Sequence, residues 1–272
     1  KAVNVTQKQQ MFVIMSGMFI TFFLILHYLP NDMTFTSALH IAGANDKMDI
    51  VDFSYNPGVK YTFWSGITGG FFLSLAYFGT DQSQVGRYLS GRSVKESQMG
   101  LIMNGLLKVP MQFFILLTGV MVFVFFQFNP VPLNFNPNNK TIIEKSAYKA
   151  EYHALEKKLD DLSEDKKVIN LLYNDQLNQD YDNPILRKEL VVLSNKEKDL
   201  RDRAKEIILK ADSNSETNDK DYVFFHFILH YLPKGLIGLL LAVIISAAMS
   251  STASGLNALA STTAIDIYKR NL

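Results

Sequence analysis

Residues 236–257 read LIGLLLAVIISAAMSSTASGLN: an apolar run from Leu236 to Met249, then Ser250-Ser251-Thr252-Ala253-Ser254-Gly255-Leu256-Asn257. The segment closes on Asp266-Ile267-Tyr268-Lys269-Arg270. A helix greasy enough to enter a membrane therefore carries one stripe of hydroxyls and small side chains, which offer hard oxygen donors and close-packing surfaces rather than lipid contacts. That pairing points to an ion site at membrane depth. A purely structural packing stripe accounts for the same residues without an ion.

The rest of the chain supports a membrane setting once its composition is taken region by region. Overall it is 48% hydrophobic with a formal net charge of +1, the profile of an ordinary soluble domain. Residues 141–222, however, hold 15 of the 27 basic and 19 of the 26 acidic residues. Outside that block, apolar stretches run at Met11–Leu29, Thr62–Gly79, Leu101–Phe126 and Gly235–Ala260. Each is near the roughly 20 residues that a helix needs to cross a bilayer. Four spans are expected, in a multi-pass chain of a cell membrane, a bacterial inner membrane. The first apolar run is too long for a signal h-region and lacks a small-residue cleavage site. Starting at Lys1 and stopping just past a helix, the chain reads as an internal fragment. It has no cysteine, which excludes disulfides.

Orientation follows from the short connections, because lysine and arginine accumulate on the cytoplasmic side. Lys1 and Lys8 precede the first span, Arg87, Arg92 and Lys95 lie between the second and third, and Lys269-Arg270 follows the fourth. The other side receives the 30–60 loop, with Asp32, Asp46, Asp49 and Asp52 against Lys47 and Lys60, and the charged block. The first span then runs outward. Three regions result: 1–127 with three spans and the external loop, a charged extracytoplasmic insertion at 128–222, and 223–272 with an interfacial segment and the last span. Inside the insertion Leu155, Leu159 and Leu162, then Leu193, Leu200, Ala204, Ile207 and Ile208, recur at helical spacing, broken by Asp182-Asn183-Pro184. Two amphipathic helices folded into an external hairpin bury both stripes. A disordered polyampholyte is the competing expectation.

Polar residues within the spans need a cause, since ionisable groups at membrane depth are costly. Lys108 stands about two turns into the third span, where it either faces a cavity or snorkels to the interface. Pro110 beside it removes a backbone hydrogen bond. Tyr77 and Phe78 in Ser74-Leu75-Ala76-Tyr77-Phe78-Gly79-Thr80-Asp81-Gln82 offer a stacking surface or serve as interfacial aromatics, and Gly79 can loosen the helix. His226 and His230 have the i, i+4 spacing of zinc ligands but no third partner, and an interfacial amphipathic helix explains them better. Asn4-Val5-Thr6 and Asn139-Lys140-Thr141 match the glycosylation sequon, a match frequent by chance. With no nucleophile–base pair, phosphate loop or closed metal constellation, no enzyme is expected.

Taken together, Tyr77-Phe78-Gly79-Thr80-Asp81-Gln82-Ser83-Gln84-Val85-Gly86-Arg87-Tyr88-Leu89-Ser90, Ala248-Met249-Ser250-Ser251-Thr252-Ala253-Ser254-Gly255-Leu256-Asn257 and Asp266–Arg270 resemble the sodium:solute symporters. The resemblance covers about three-quarters of the chain in pieces, excluding the charged block. It implies an all-α integral membrane fold: a partial LeuT-type inverted-repeat bundle, core helices 5 to 8, with an inserted external helical hairpin. Core helices 1, 2, 3 and 10 are absent, so this segment alone is not expected to transport.

By resemblance, sodium (Na+) is bound by the Ala247 carbonyl and the Ser250 and Ser251 hydroxyls. Neutral oxygens suit a hard cation that must also be released. Ser74, Tyr77, Phe78 and Lys108 match solute-facing positions, and Asp81, Gln82 and Arg87 belong to the inner gate. Ser74 replaces an amide of the sugar carriers and the 82–89 stretch looks closer to the anion and vitamin carriers, leaving an organic anion and a sugar both open. Two departures stand out: Thr6-Gln7 where the family usually has Thr-Asp, and Gly86 where it commonly has Gln. The function implied is inward sodium movement coupled to solute uptake by alternating access. The competing expectation is a transporter-derived membrane sensor or interaction protein that binds a partner through its hairpin. Expected partners are the small-molecule solute, sodium, the lipid bilayer and the missing core helices of the same protein, with no nucleic acid.

Overall fold

The computed structural model describes residues 2–48, 51–56, 62–89 and 93–270, and every regular element among them is helical. Lys1, Asp49, Lys60, Ser90 and Arg92, which entered the charge and motif readings, lie outside the described residues. The order is α1 (Ala2–Tyr28), α2 (Phe35–Ala44), α3 (Phe63–Leu75), a π-helical segment (Ala76–Thr80), α4 (Gln82–Leu89), α5 (Val94–Phe125), α6 (Pro137–Glu144), α7 (Lys149–Leu177), α8 (Pro184–Ala211), α9 (Lys220–Tyr231), α10 (Lys234–Thr262) and a second π-helical segment (Thr263–Lys269).

Three stretches among the described residues are long and apolar enough to cross a membrane: Thr6–Tyr28, Val94–Phe125 and Lys234–Lys269. The fourth expected span, Thr62–Gly79, is different. Its regular part, α3, has 13 residues, about 20 Å of helix against a hydrocarbon core of about 30 Å. It opens on a capping box, in which Thr62 Oγ1 accepts from the Ser65 amide at 3.3 Å and the Thr62 amide donates to Ser65 Oγ at 2.9 Å. At Ala76 the backbone widens into the π segment, closed by the Asp81 amide donating to the Ala76 carbonyl at 3.0 Å. Hydrophobicity alone does not mark that change of pitch. By contrast α5 continues through Pro110, which leaves the Leu106 carbonyl without its intrahelical donor.

The chain divides into two compact units. The first comprises Lys1–Met18, Ile50–Ile115 and Gly238–Leu272. Large apolar side chains point outward along its helices, among them Phe72, Val109 and Met249, which are 69, 71 and 68% exposed. Such a surface belongs against lipid or further apolar protein.

The second unit comprises Phe19–Asp49 and Leu116–Ile237. Here α7 and α8 fold back on each other and bury Tyr152, Leu155 and Leu159 against Ala204, Ile207 and Ile208. The reversal is encoded locally. Asp180 takes a left-handed φ of 58°, and Asn183 caps α8 by accepting from the Ile185 amide at 2.8 Å, with Pro184 at the first helical position. Further along the same stripe the buried residues turn polar. Lys166 Nζ pairs with Glu197 Oε2 at 3.0 Å, and Arg201 Nε reaches Glu197 Oε1 at 3.0 Å. Arg201 also donates to the Pro132 and Leu133 carbonyls at 3.1 and 3.0 Å, tying the chain after α5 to α8. Burial opposes ionisation of Glu197, but Lys166 and Arg201 outweigh it and hold its carboxyl below the usual range. Helix α2 docks on the hairpin through Ser194 Oγ donating to Asn45 Oδ1, and the loop before it through Asn178 Nδ2 donating to the Asp32 carbonyl at 2.9 Å.

Candidate ion and solute site

On α10 the predicted sodium residues Ala247 and Ser250 are partly buried, while Ser251 is exposed. Helical spacing separates the hydroxyls of this stripe into different environments. Ser246 Oγ accepts from Gln10 Nε2 of α1 at 2.7 Å. One turn later Ser250 Oγ is shielded and has no hydrogen-bond partner. Thr252 Oγ1 turns back to its own helix, donating to the Ala248 carbonyl at 3.0 Å. An unpaired, shielded hydroxyl costs roughly 1–3 kcal/mol unless something uses its lone pairs. Ser250 thus fits an ion that takes neutral oxygens.

The predicted solute residues converge in the same unit. The π segment presents Tyr77 and Phe78 in an edge-to-face pair with centroids 5.1 Å apart, and Phe78 also lies 5.9 Å from the Tyr88 ring. Lys108 Nζ stands 5.7 Å from the Tyr77 centroid, within cation–π range. Three of the four residues, Tyr77, Phe78 and Lys108, therefore form one cluster. Ser74 sits one turn before Tyr77 on α3, exposed. A π bulge inside a helix is costly and recurs at functional sites, and Gly79 within this one was the only sequence sign of it.

Of the gate residues, Asp81 has a definite local role: Oδ1 accepts from the Ser83 amide at 2.9 Å and Ser83 Oγ at 2.7 Å, capping α4. Gln82 is the exposed first residue of α4. Arg87 lies on α4, and its side chain is outside the described residues.

In the second unit the His226 and His230 rings stack at 4.0 Å, and His230 Nδ1 donates to the His226 carbonyl at 2.9 Å. Among the described residues no group of three or more His, Cys, Asp or Glu side chains converges as metal ligands. His226 instead packs against the Phe135 ring at 5.4 Å, and burial, reinforced by His230, lowers its pKa. Asn139 of the second sequon is buried, its Nδ2 donating to Asn134 Oδ1 and the Glu216 carbonyl at 3.1 and 2.9 Å, which leaves no amide for a glycan. Sequence reasoning passed over Gln10, Gly17 and Ser246. Their signal was slight: a glutamine and a glycine seven residues apart on one apolar helix.

Residues 208–272, which contain all of α10, match the model of the sodium:solute symporter family. The family resemblance drawn from the motifs therefore holds independently over the segment that carries Ala247, Ser250 and Ser251. The chain is 33% identical over 66 residues to the sodium/iodide cotransporter of Homo sapiens, covering 24% of this chain and 10% of that protein. It is 34% identical over 70 residues to sodium-coupled monocarboxylate transporter 2 of Mus musculus, covering 26% of this chain and 11% of that protein. With the transporter of the same description from Bos taurus it shares 31% over 108 residues, covering 38% of this chain and 16% of that protein. The chain thus spans 10 to 16% of the length of these relatives. No solved structure matches.

Proposed function

We propose that this chain is part of a multi-pass symporter that couples inward sodium movement to uptake of a small organic anion. The observation that carries it is the shielded, unpartnered Ser250 hydroxyl within the segment that matches the symporter family. Ala247 and Ser251 complete one half of a sodium site, and an adjacent core helix outside this chain supplies the other half. Relatives described as carriers of iodide and monocarboxylate move anions, which favours an anion over a sugar for a cluster built around the Lys108 ammonium. Tyr77 and Phe78 provide the apolar wall for the rest of the solute.

Mechanistically, sodium is cargo whose binding from outside favours the outward-open state of a LeuT-type core; rocking then exposes both sites to the cytoplasm. Neutral ligands permit release there, because they bind a hard cation without trapping it. The insertion at 128–222, carrying the α7–α8 hairpin, lies on the extracytoplasmic side by the charge balance of the short loops. The test is sodium-dependent uptake by the full-length carrier. Ser250→Ala with Ser251→Ala is expected to raise the sodium half-saturation more than about tenfold, from two lost oxygen ligands. An unchanged sodium dependence refutes the site, and a correctly inserted carrier with no uptake of any solute favours the sensor reading.

A further inference from the structure

Gln10 belongs to none of the residues assigned above, yet its amide makes a polar link between two membrane helices. Gln10 Nε2 donates to Ser246 Oγ at 2.7 Å, across 236 residues of sequence. Two turns along α1, Gly17 leaves room for Leu240: a Cβ at position 17 would stand 2.5 Å from Leu240 Cδ2. Position rises along α1 as it falls along α10, so the helices are antiparallel, and the seven-residue step keeps both contacts on one face of α1. Ser246 and Ser250, four residues apart, share a face of α10. Continuing the register by the same four residues brings Ser250 level with Thr6. The hydroxyl paired with Gln10 thus lies on the same face of α10 as the unpaired Ser250.

We propose that Gln10 is a positioning residue of the sodium half-site: by donating to Ser246 it locks the rotation and register of α10, holding Ala247, Ser250 and Ser251 at the level of the ion. This rests on the sodium reading above. Without the amide, Ser246 is free to turn its hydroxyl onto a carbonyl of its own helix, as Thr252 does, and α10 loses a polar restraint against α1. The packing of Leu240 against Gly17 is non-directional, and it sets distance but resists rotation weakly.

The experiment uses the full-length carrier in proteoliposomes, normalised to inserted protein, with uptake driven by sodium and separately by lithium. Gln10→Leu and Ser246→Ala are each expected to raise the sodium half-saturation about threefold, the usual worth of an interhelical polar contact in a membrane. Each shifts the lithium-to-sodium ratio while leaving the maximal rate unchanged. The double variant goes no further than either single, because both remove the same bond. Ser246→Thr, which keeps the hydroxyl, behaves as the parent. A mere loss of folded protein lowers the maximal rate and leaves ion preference alone. If Ser250→Ala raises the sodium requirement while Gln10→Leu does not, or if the two singles add in the double, the brace is overturned and the half-site stands. If Ser250→Ala leaves the requirement unchanged, the half-site falls and the brace with it.

Discussion

Replacing Glu197 by leucine strands a buried cation. The Lys166 side chain is 5% exposed, against 22% for Glu197, and Glu197 is the carboxylate that Lys166 meets at 3.0 Å. Breaking a fully buried pair by removing one partner costs about 3–5 kcal/mol, because the remaining charge keeps its desolvation penalty. Glu197 is partly open to water, and Lys166 retains the Phe123 ring at 6.0 Å, so the lower end, about 3 kcal/mol, applies. That equals about a hundredfold in the equilibrium for local opening. Arg201 keeps its two carbonyl acceptors and is not stranded. Hydrogen exchange of the full-length protein, followed by mass spectrometry on peptides spanning positions 166 and 197, is expected to show that loss of protection. The double replacement Lys166→Met with Glu197→Leu recovers all but about tenfold of it, since apolar groups of similar size replace a buried pair at little cost. A double variant as unprotected as Glu197→Leu refutes the stranded-charge account, as does a single variant with unchanged exchange.

Three further outcomes are expected. Glu197 binds its proton less readily folded than unfolded, so its contribution to stability is complete above the ordinary value of 4.5 and is lost as pH falls through the lower folded value; His226, held below its ordinary 6.5, acts in the same sense. Thermal unfolding should therefore become easier as pH drops from 7 through 6, and His226→Phe should flatten that limb; an identical slope in the variant removes His226 from the account. Gly17→Ala is tolerated because the obstructing Leu240 Cδ2 ends a flexible side chain, whereas Gly17→Leu costs about 1–3 kcal/mol and is rescued by Leu240→Ala, read as the fraction of protein surviving heating in detergent. Lys108→Met and Tyr77→Leu each weaken apparent solute affinity up to about fivefold, without adding in the double and without altering sodium half-saturation, and additivity would show that the pair does not act together.

The parts of this protein legible in its sequence are those that depend on one dimension. Apolar length is such a quantity, and it marks α1, α5 and α10 as long and apolar enough to cross a membrane. The motif that matches the symporter family is another, because it lies within one contiguous segment. The segment Thr62–Gly79 shows the limit: its composition suits a span, but the change to π pitch at Ala76 depends on which carbonyl the Asp81 amide meets. The hydroxyls of α10 show it more sharply. Ser246 and Ser250 are the same residue on the same face, and nothing along the chain distinguishes an acceptor paired with Gln10 from one left shielded and unpaired. Lys166 likewise follows Leu155 and Leu159 on the buried stripe of α7, and the return of α8 at Glu197 makes a lysine tolerable there. Sequence determined which helices are long and apolar enough to cross a membrane and which oxygens are available. Tertiary structure decided which of those oxygens are already satisfied, because a hydroxyl that turns back on its own helix, as Thr252 does, and one that meets a distant residue, as Ser246 does, differ in what packs beside them.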